Sequence, residues 1–124
     1  MNGTCELCGK ENIYCEIHHR IFKSQAVYMR TIKANLAKLC VECHRGNGGV
    51  HLNKEADLKL KTNLQHKLTE MFSEKTHYCK DEIREILDCS DFDAVLICKR
   101  LCGHRDGYRV DEILIRLMGG RNYI

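Results

Sequence analysis

The spacing of apolar positions changes twice along the 124 residues. Up to about residue 50 they fall in short runs, "NIYCEI" and "LAKLCV", which predict strands or tight knuckles rather than long helices. From Asn53 onward the spacing becomes helical: Leu60, Leu64, Leu68 and Met71 recur on one face as far as Phe72. Asn53 is placed to cap that helix and Glu55 favours its first turn. Around "SEKTHY" the phase breaks, and three shorter helices are predicted beyond it, over Lys80–Leu87, Asp91–Leu101 and Val110–Met118, with a turn near Cys89-Ser90. The pattern is that of an α+β chain with a soft boundary: a module over residues 1–73 ending in an amphipathic helix, and a small helical extension over 74–124.

There is no proline, so glycines punctuate the chain, at Gly46, Gly48 and Gly49, at Gly103 and Gly107, and at Gly119 and Gly120. No internal repeat, low-complexity tract or linker is legible.

Composition narrows the picture. A chain of this length builds only a modest core unaided, and nine cysteines suggest where extra constraint comes from. No apolar run approaches the roughly 20 residues of a membrane span, and "MNGTCELCGK" lacks the basic-then-apolar order of a secretory signal. The expectation is a soluble chain in a reducing cytoplasm, with closely paired cysteines acting as metal ligands or core residues rather than disulfides. The net charge of +3 is unevenly spread: residues 1–73 carry 11 Lys/Arg against 7 Asp/Glu, and residues 74–124 carry 9 against 10. The first part is therefore the one suited to a polyanion.

The sharpest chemical signal is Cys5-x2-Cys8 matched by Cys40-x2-Cys43. Each pair presents two thiolates from one knuckle, and together they make the tetrahedral sulfur site that zinc prefers. Four thiolates leave no open coordination position, so this zinc staples the fold and performs no chemistry. Between and just after the knuckles lie His18-His19, Asn35, His44 and His51. Adjacent strand residues point to opposite faces, so one histidine of the pair is placed to ligate a metal and the other to accept a proton. Asn35 is placed to hydrogen-bond an imidazole and fix its orientation.

The order Cys-x2-Cys, His-His, Asn-x4-Cys-x2-Cys-His and a further His resembles the zinc-knuckle branch of the HNH nucleases, the ββα-metal or His-Me finger group, over about residues 3–72. "CHRGNGGVHLN" and the terminal "MGGRNYI" are most similar to small HNH-type proteins encoded by bacteriophages. The resemblance implies a zinc-stapled ββα-metal module and a metal-dependent endonuclease that hydrolyses DNA phosphodiester bonds in a bacterial host cytoplasm. It makes His18 the first metal ligand, His19 the general base, Asn35 the residue that orients the base, and His44 the ligand that completes the site. The implied catalytic ion is Mg²⁺ or Mn²⁺, with zinc or nickel as alternatives in a histidine-rich site. His51 resembles the last histidine of the longer motif. Because "RGNGGV" separates it from His44 with three glycines that disfavour helix, it is either a third ligand or a loop-fixing residue. The rival readings are a non-catalytic HNH-like binding protein that engages DNA or inhibits a host defence complex, and a zinc-containing transcriptional regulator.

The segment "RIFKSQAVYMRTIKAN" adds Arg20, Lys23, Arg30 and Lys33, interleaved with Phe22 and Tyr28. These four cations are candidate phosphate contacts; alternatively the segment is a solvated loop with Phe22, Val27 and Met29 turned inward. The C-terminal segment loosely resembles a helix-turn-helix or winged helix, with Lys99, Arg100, Arg105 and Arg109 as its DNA-facing charges, or else offers a surface to a protein partner. Cys98 and Cys102, at i and i+4, suit core packing; a second zinc site with His77 or His104 is the alternative.

Overall fold

The computed structural model describes residues 1–124. Strands β1 (Asn2–Gly3), β2 (Ile13–His19) and β3 (Leu36–Cys40) form an antiparallel sheet in that order. The β2–β3 register pairs Cys15 with Cys40 and His19 with Leu36, so the His18-His19 end of β2 lies at the start of β3. Helix α1 (Val41–Arg45) follows β3 without a loop, with Cys40 as both last strand residue and N-cap. This β–β–α order places one knuckle at the end of the hairpin and His44 on the helix that leaves it.

The crossing from β2 to β3 is a packed segment. Ile21, Ala26, Tyr28, Met29, Ile32 and Ala34 are all buried, and short 3-10 turns form at Val27–Met29 and Lys33–Asn35. Of the three residues expected to turn inward, Met29 does so and Phe22 is half-buried. Val27 points outward at 54% exposure, because the turn at 27–29 rotates it away from the core.

Helix α2 (Lys54–Met71) begins where the pattern predicts: the Asn53 side chain accepts from the backbone N–H groups of Glu55 and Ala56 at 3.0 and 3.2 Å. Its buried stripe joins two cores. Leu60 packs with Cys5, Ala37, Leu39, Cys40 and Val50 beneath the sheet. Leu64, Leu68 and Phe72 enter a larger cluster shared with the 21–34 segment and the C-terminal helices.

Beyond α2 come β4 (His77–Tyr78), α3 (Lys80–Leu87), α4 (Asp91–Cys98), β5 (Tyr108–Arg109) and α5 (Val110–Leu117). Strands β4 and β5 pair antiparallel, with Tyr78 opposite Tyr108. Contrary to the expectation of no internal repeat, the paired segments share a short one: Tyr78-x2-Asp81-Glu82-Ile83 and Tyr108-x2-Asp111-Glu112-Ile113 are each a strand leading into a helix. Helix α4 is shorter than predicted, ending at Cys98, so Cys98 is buried while Cys102 lies exposed in the following loop. His77 and His104 approach with ring centroids 6.0 Å apart, and no third donor joins them.

The boundary near residue 73 separates elements but not cores. Ile83, Leu87, Ile97, Ile113 and Leu117 pack in the same cluster as Ile21, Met29 and Ile32. The Tyr28 hydroxyl donates to the Arg116 carbonyl at 2.7 Å, while the Arg116 guanidinium stacks 3.9 Å from the Tyr28 ring and donates to the carbonyls of Ile97 and Leu96. The C-terminal helices thus buttress the segment that connects the two strands of the site. Of the four cations predicted to face DNA from this region, Arg109 pairs with Asp111, and Lys99, Arg100 and Arg105 are exposed. No helix is long and apolar enough to cross a membrane.

Candidate metal centre

Two clusters of ligating side chains share α1, which supplies Cys43 to one and His44 to the other. In the first, Cys5, Cys8, Cys40 and Cys43 bring their sulfurs within 4.8 Å of one another. A tetrahedron of Zn–S bonds about 2.3 Å long has edges of about 3.8 Å, and Cys8 Sγ lies 3.9 Å from Cys40 Sγ. The protonation pattern suits a cation. Burial opposes ionisation of Cys5, but backbone N–H groups of Cys8, Cys40 and Leu7 aimed at its sulfur overcome that and hold the thiol at about 6. Burial together with the neighbouring sulfurs pushes Cys43 far up. Four thiols this close cannot all ionise unless positive charge sits among them, so the donor set fits a structural zinc.

In the second cluster His18, His44 and His51 converge, again with ligand atoms within 4.8 Å of one another. His18 projects from β2 and is 2% exposed; its Nε2 is buried with no hydrogen-bond partner. Burial, then the nearby His44 and His51, lowers its pKa to about 4, so it is neutral and free to ligate at physiological pH. His44 projects from α1. Its Nδ1 lies 2.9 Å from Glu16 Oε1, and a carboxylate only accepts, so Nδ1 carries the proton and Nε2 keeps its lone pair. Glu16 is ionised over the whole working range: Arg45, then His44, hold its carboxyl at about 2.

His51 reaches the cluster because the glycines that break the helix let the chain turn back. Helix α1 stops at Arg45, and the chain folds back on its last turn through Gly49 N–H to Gly46 and Val50 N–H to Cys43, both at 2.9 Å. A Cβ on Gly49 would lie 2.7 Å from the Cys43 carbonyl oxygen, so only glycine permits this approach. The result sets His51 Nε2 3.0 Å from His44 Nε2. An orphaned, buried His18 Nε2 beside two imidazole nitrogens this close fits a cation held among the three rings.

His19 is half-buried and faces elsewhere than His18, yet both line one open cleft of about 510 Å³ with Ile17, Phe22, Lys23, Ser24, His44 and His51. His19 Nε2 lies 3.0 Å from the Arg30 carbonyl oxygen. A carbonyl only accepts, so the proton sits on Nε2 and Nδ1 is left with the lone pair. Asn35, fully buried, makes no hydrogen bond to either histidine ring, contrary to the expectation that it orients the base directly. Its Oδ1 accepts from Ile21 N–H at 2.8 Å, and its Nδ2 donates to the carbonyls of Ile21 and Met29 at 3.1 and 3.0 Å. It fixes the backbone one residue from the carbonyl that holds His19.

The predicted phosphate contacts separate into distinct roles. Lys23 lines the cleft. Arg30 is exposed, with its carbonyl engaged by His19. Lys33 pairs with Asp88 on the extension at 2.7 Å. Arg20 is not a surface cation: it is 5% exposed, donates to the Ala34 carbonyl at 3.2 Å and pairs with Glu6, in a pocket it lines with Asn63, His66 and Lys67 of α2. Glu16 is the site residue that sequence reasoning missed. Its only signal was position, two residues before His18 and hence on the same face of the strand.

Residues 5–49 match the family model described as HNH endonuclease. No curated protein and no solved structure matches the chain. The matched stretch holds both knuckles, His18, His19, Asn35 and His44, and stops two residues before His51. The mixed helix and sheet architecture and the four-cysteine cluster agree with this HNH endonuclease-domain match over residues 5–49.

Proposed function

We propose that the protein is a metal-dependent endonuclease that hydrolyses DNA phosphodiester bonds in the cleft between His19 and the three-histidine cluster. The observation that carries this reading is the state of His19: its Nε2–H is committed to the Arg30 carbonyl, which leaves Nδ1 as a proton acceptor in the same cleft as His18, His44 and His51.

His18, His44 and His51 would hold the ion, and an all-imidazole donor set favours Mn²⁺, Ni²⁺ or Zn²⁺ over Mg²⁺, which prefers oxygen. A divalent cation there supplies Lewis-acid stabilisation of the phosphate charge and of the departing 3′ oxygen. Nδ1 of His19 takes the proton of the attacking water, while the Arg30 carbonyl stabilises the imidazolium that results. Asn35 keeps that carbonyl in place through Met29. Lys23 at the cleft edge meets a phosphate beside the scissile one.

The test is cleavage of supercoiled plasmid with Mn²⁺, Ni²⁺ or Mg²⁺ by the full chain and by His19→Ala. Nicking that falls about 10²- to 10⁴-fold in the variant is expected from loss of a general base. Absence of nicking, or nicking that survives His19→Ala unchanged, overturns the assignment. DNA binding without cleavage would favour the non-catalytic scaffold.

A further inference from the structure

Lys61 stands apart from the other lysines. It lies in the middle of α2 and is only 7% exposed. A lysine on a helix normally extends its ammonium into water; this one points inward. Its Nζ bonds Asp57 Oδ2 at 2.9 Å and sits 4.6 Å from the centroid of the Phe22 ring and 5.8 Å from that of Tyr123. Both distances lie within the range in which an aromatic face attracts a cation.

Each ring has a second commitment. Phe22 stacks on His51 with centroids 5.8 Å apart and planes 27° apart, and meets His18 edge-on at 5.9 Å. It is the apolar wall against which two of the three converging histidines rest. Tyr123 belongs to the C-terminal tail, which two glycines in left-handed conformation, Gly119 and Gly120, turn back after α5. The tail is tied down at several points: Tyr123 N–H to Gln65 Oε1 and Gln65 Nε2 to Asn122 Oδ1, both at 2.6 Å, and Gln25 Nε2 to the Gly119 carbonyl at 3.3 Å. Gln25 closes the segment that begins at Phe22, through its backbone N–H to the Phe22 carbonyl at 2.9 Å.

We propose that Lys61 is a positioning residue for the three-histidine centre: clasped between Tyr123 and Phe22, it transmits the seating of the C-terminal tail to the ring that supports His51. The inference rests on the reading of His18, His44 and His51 as a metal site, and assigns part of that site's affinity to Lys61 and Tyr123, 10 and 72 positions beyond His51. An ammonium that only neutralised Asp57 would have no need of either ring.

The test is a Co²⁺ titration of the full chain, read in two spectral regions. The four-cysteine site gives intense thiolate charge-transfer bands, and the imidazole site gives weak visible d–d bands as a second equivalent binds. Lys61→Met and Tyr123→Leu are each expected to weaken the second equivalent by about threefold to tenfold, with the thiolate bands unchanged as the sign that the fold is intact. Tyr123→Phe, which keeps the ring, should bind as the parent does. The double variant Lys61→Met/Tyr123→Leu should be no weaker than Lys61→Met alone, since the two act through one clasp. Should Lys61→Met fail to fold, Tyr123→Leu on the surface tail carries the test. A parent chain that takes no second equivalent removes the metal-site reading and this proposal together; a second equivalent indifferent to both variants, or additive losses, overturns the clasp alone.

Discussion

Glu16 accepts a hydrogen bond from His44 Nδ1 at 2.9 Å, and its carboxylate also binds Arg45, so a strand carboxylate and a helix imidazole are locked together beside the histidine cluster. This bond decides which His44 nitrogen faces His18 and His51. Glu16→Gln keeps the shape but removes the charge that favours the Nδ1–H tautomer. Affinity for Mn²⁺ or Co²⁺ at the histidine site should fall about 10- to 100-fold, measured by titration calorimetry, with zinc retention by the cysteines unchanged.

Gly49→Ala places a methyl group against the Cys43 and Glu42 carbonyls, 2.7 and 2.8 Å from its Cβ. The return of the chain must open, and His51 moves with it. We expect weaker binding at the histidine site and a loss of thermal stability of about 1–3 kcal/mol. A variant with parental affinity and melting temperature would mean that the loop relaxes without moving His51.

Removal of the four-cysteine ion should loosen the N-terminal module first. Cys40 and Cys5 are core residues as well as ligands, packed with Leu39, Val50 and Leu60. A strong chelator, or Cys43→Ser, is expected to lower the melting temperature and to increase hydrogen exchange across β2, β3 and α1 ahead of α3–α5.

Arg20 and Lys23 are three residues apart and should behave oppositely. Arg20→Met unpairs Glu6 and frees the Ala34 carbonyl, so it should cost about 1–3 kcal/mol of stability and leave the salt dependence of DNA binding unchanged. Lys23→Ala, at the cleft, should leave stability alone and reduce the slope of log affinity against log salt by about one.

Glu82 provides a pH test remote from both clusters. Lys75, then the backbone N–H of Cys79, lower its carboxyl from 4.5 to about 2. A depressed acid stabilises the fold above the unfolded value, and that contribution is lost as pH falls from about 4.5 towards 2. The melting-temperature gap between the parent and Glu82→Gln should therefore be constant at neutral pH and close across that window.

The elements were legible wherever one face repeats with a fixed period. The α2 stripe and its Asn53 cap, and the extent of α3, follow from local pattern alone. The four cysteines, and His18 with His44, were legible as candidate ligand sets because ligand chemistry restricts residue type and spacing, whereas His51 was left open between ligand and loop-fixing residue. What could not be read was direction. Arg20 resembles any surface arginine until the fold buries it against Glu6 and the Ala34 carbonyl. Asn35 acts through backbone carbonyls whose positions depend on the whole 21–34 segment. The glycines after α1 argue against helix, and they do break it, but the turn they allow is what brings His51 to His44. The common core of the module and the extension depends on contacts between residues nearly a hundred positions apart, to which no local period corresponds.

Cys43 and His44 are neighbours on α1, one belonging to each cluster. Nothing but a single peptide bond and one short helix separates the two centres, so an ion in either restricts the same few backbone dihedrals. Linkage then runs both ways: by whatever factor zinc among the sulfurs raises the affinity of the imidazoles for an ion, that ion raises the affinity of the sulfurs for zinc. On the proposed reading the two ions would form one cooperative pair, and depletion of zinc from the sulfurs would weaken whatever ion the imidazoles hold.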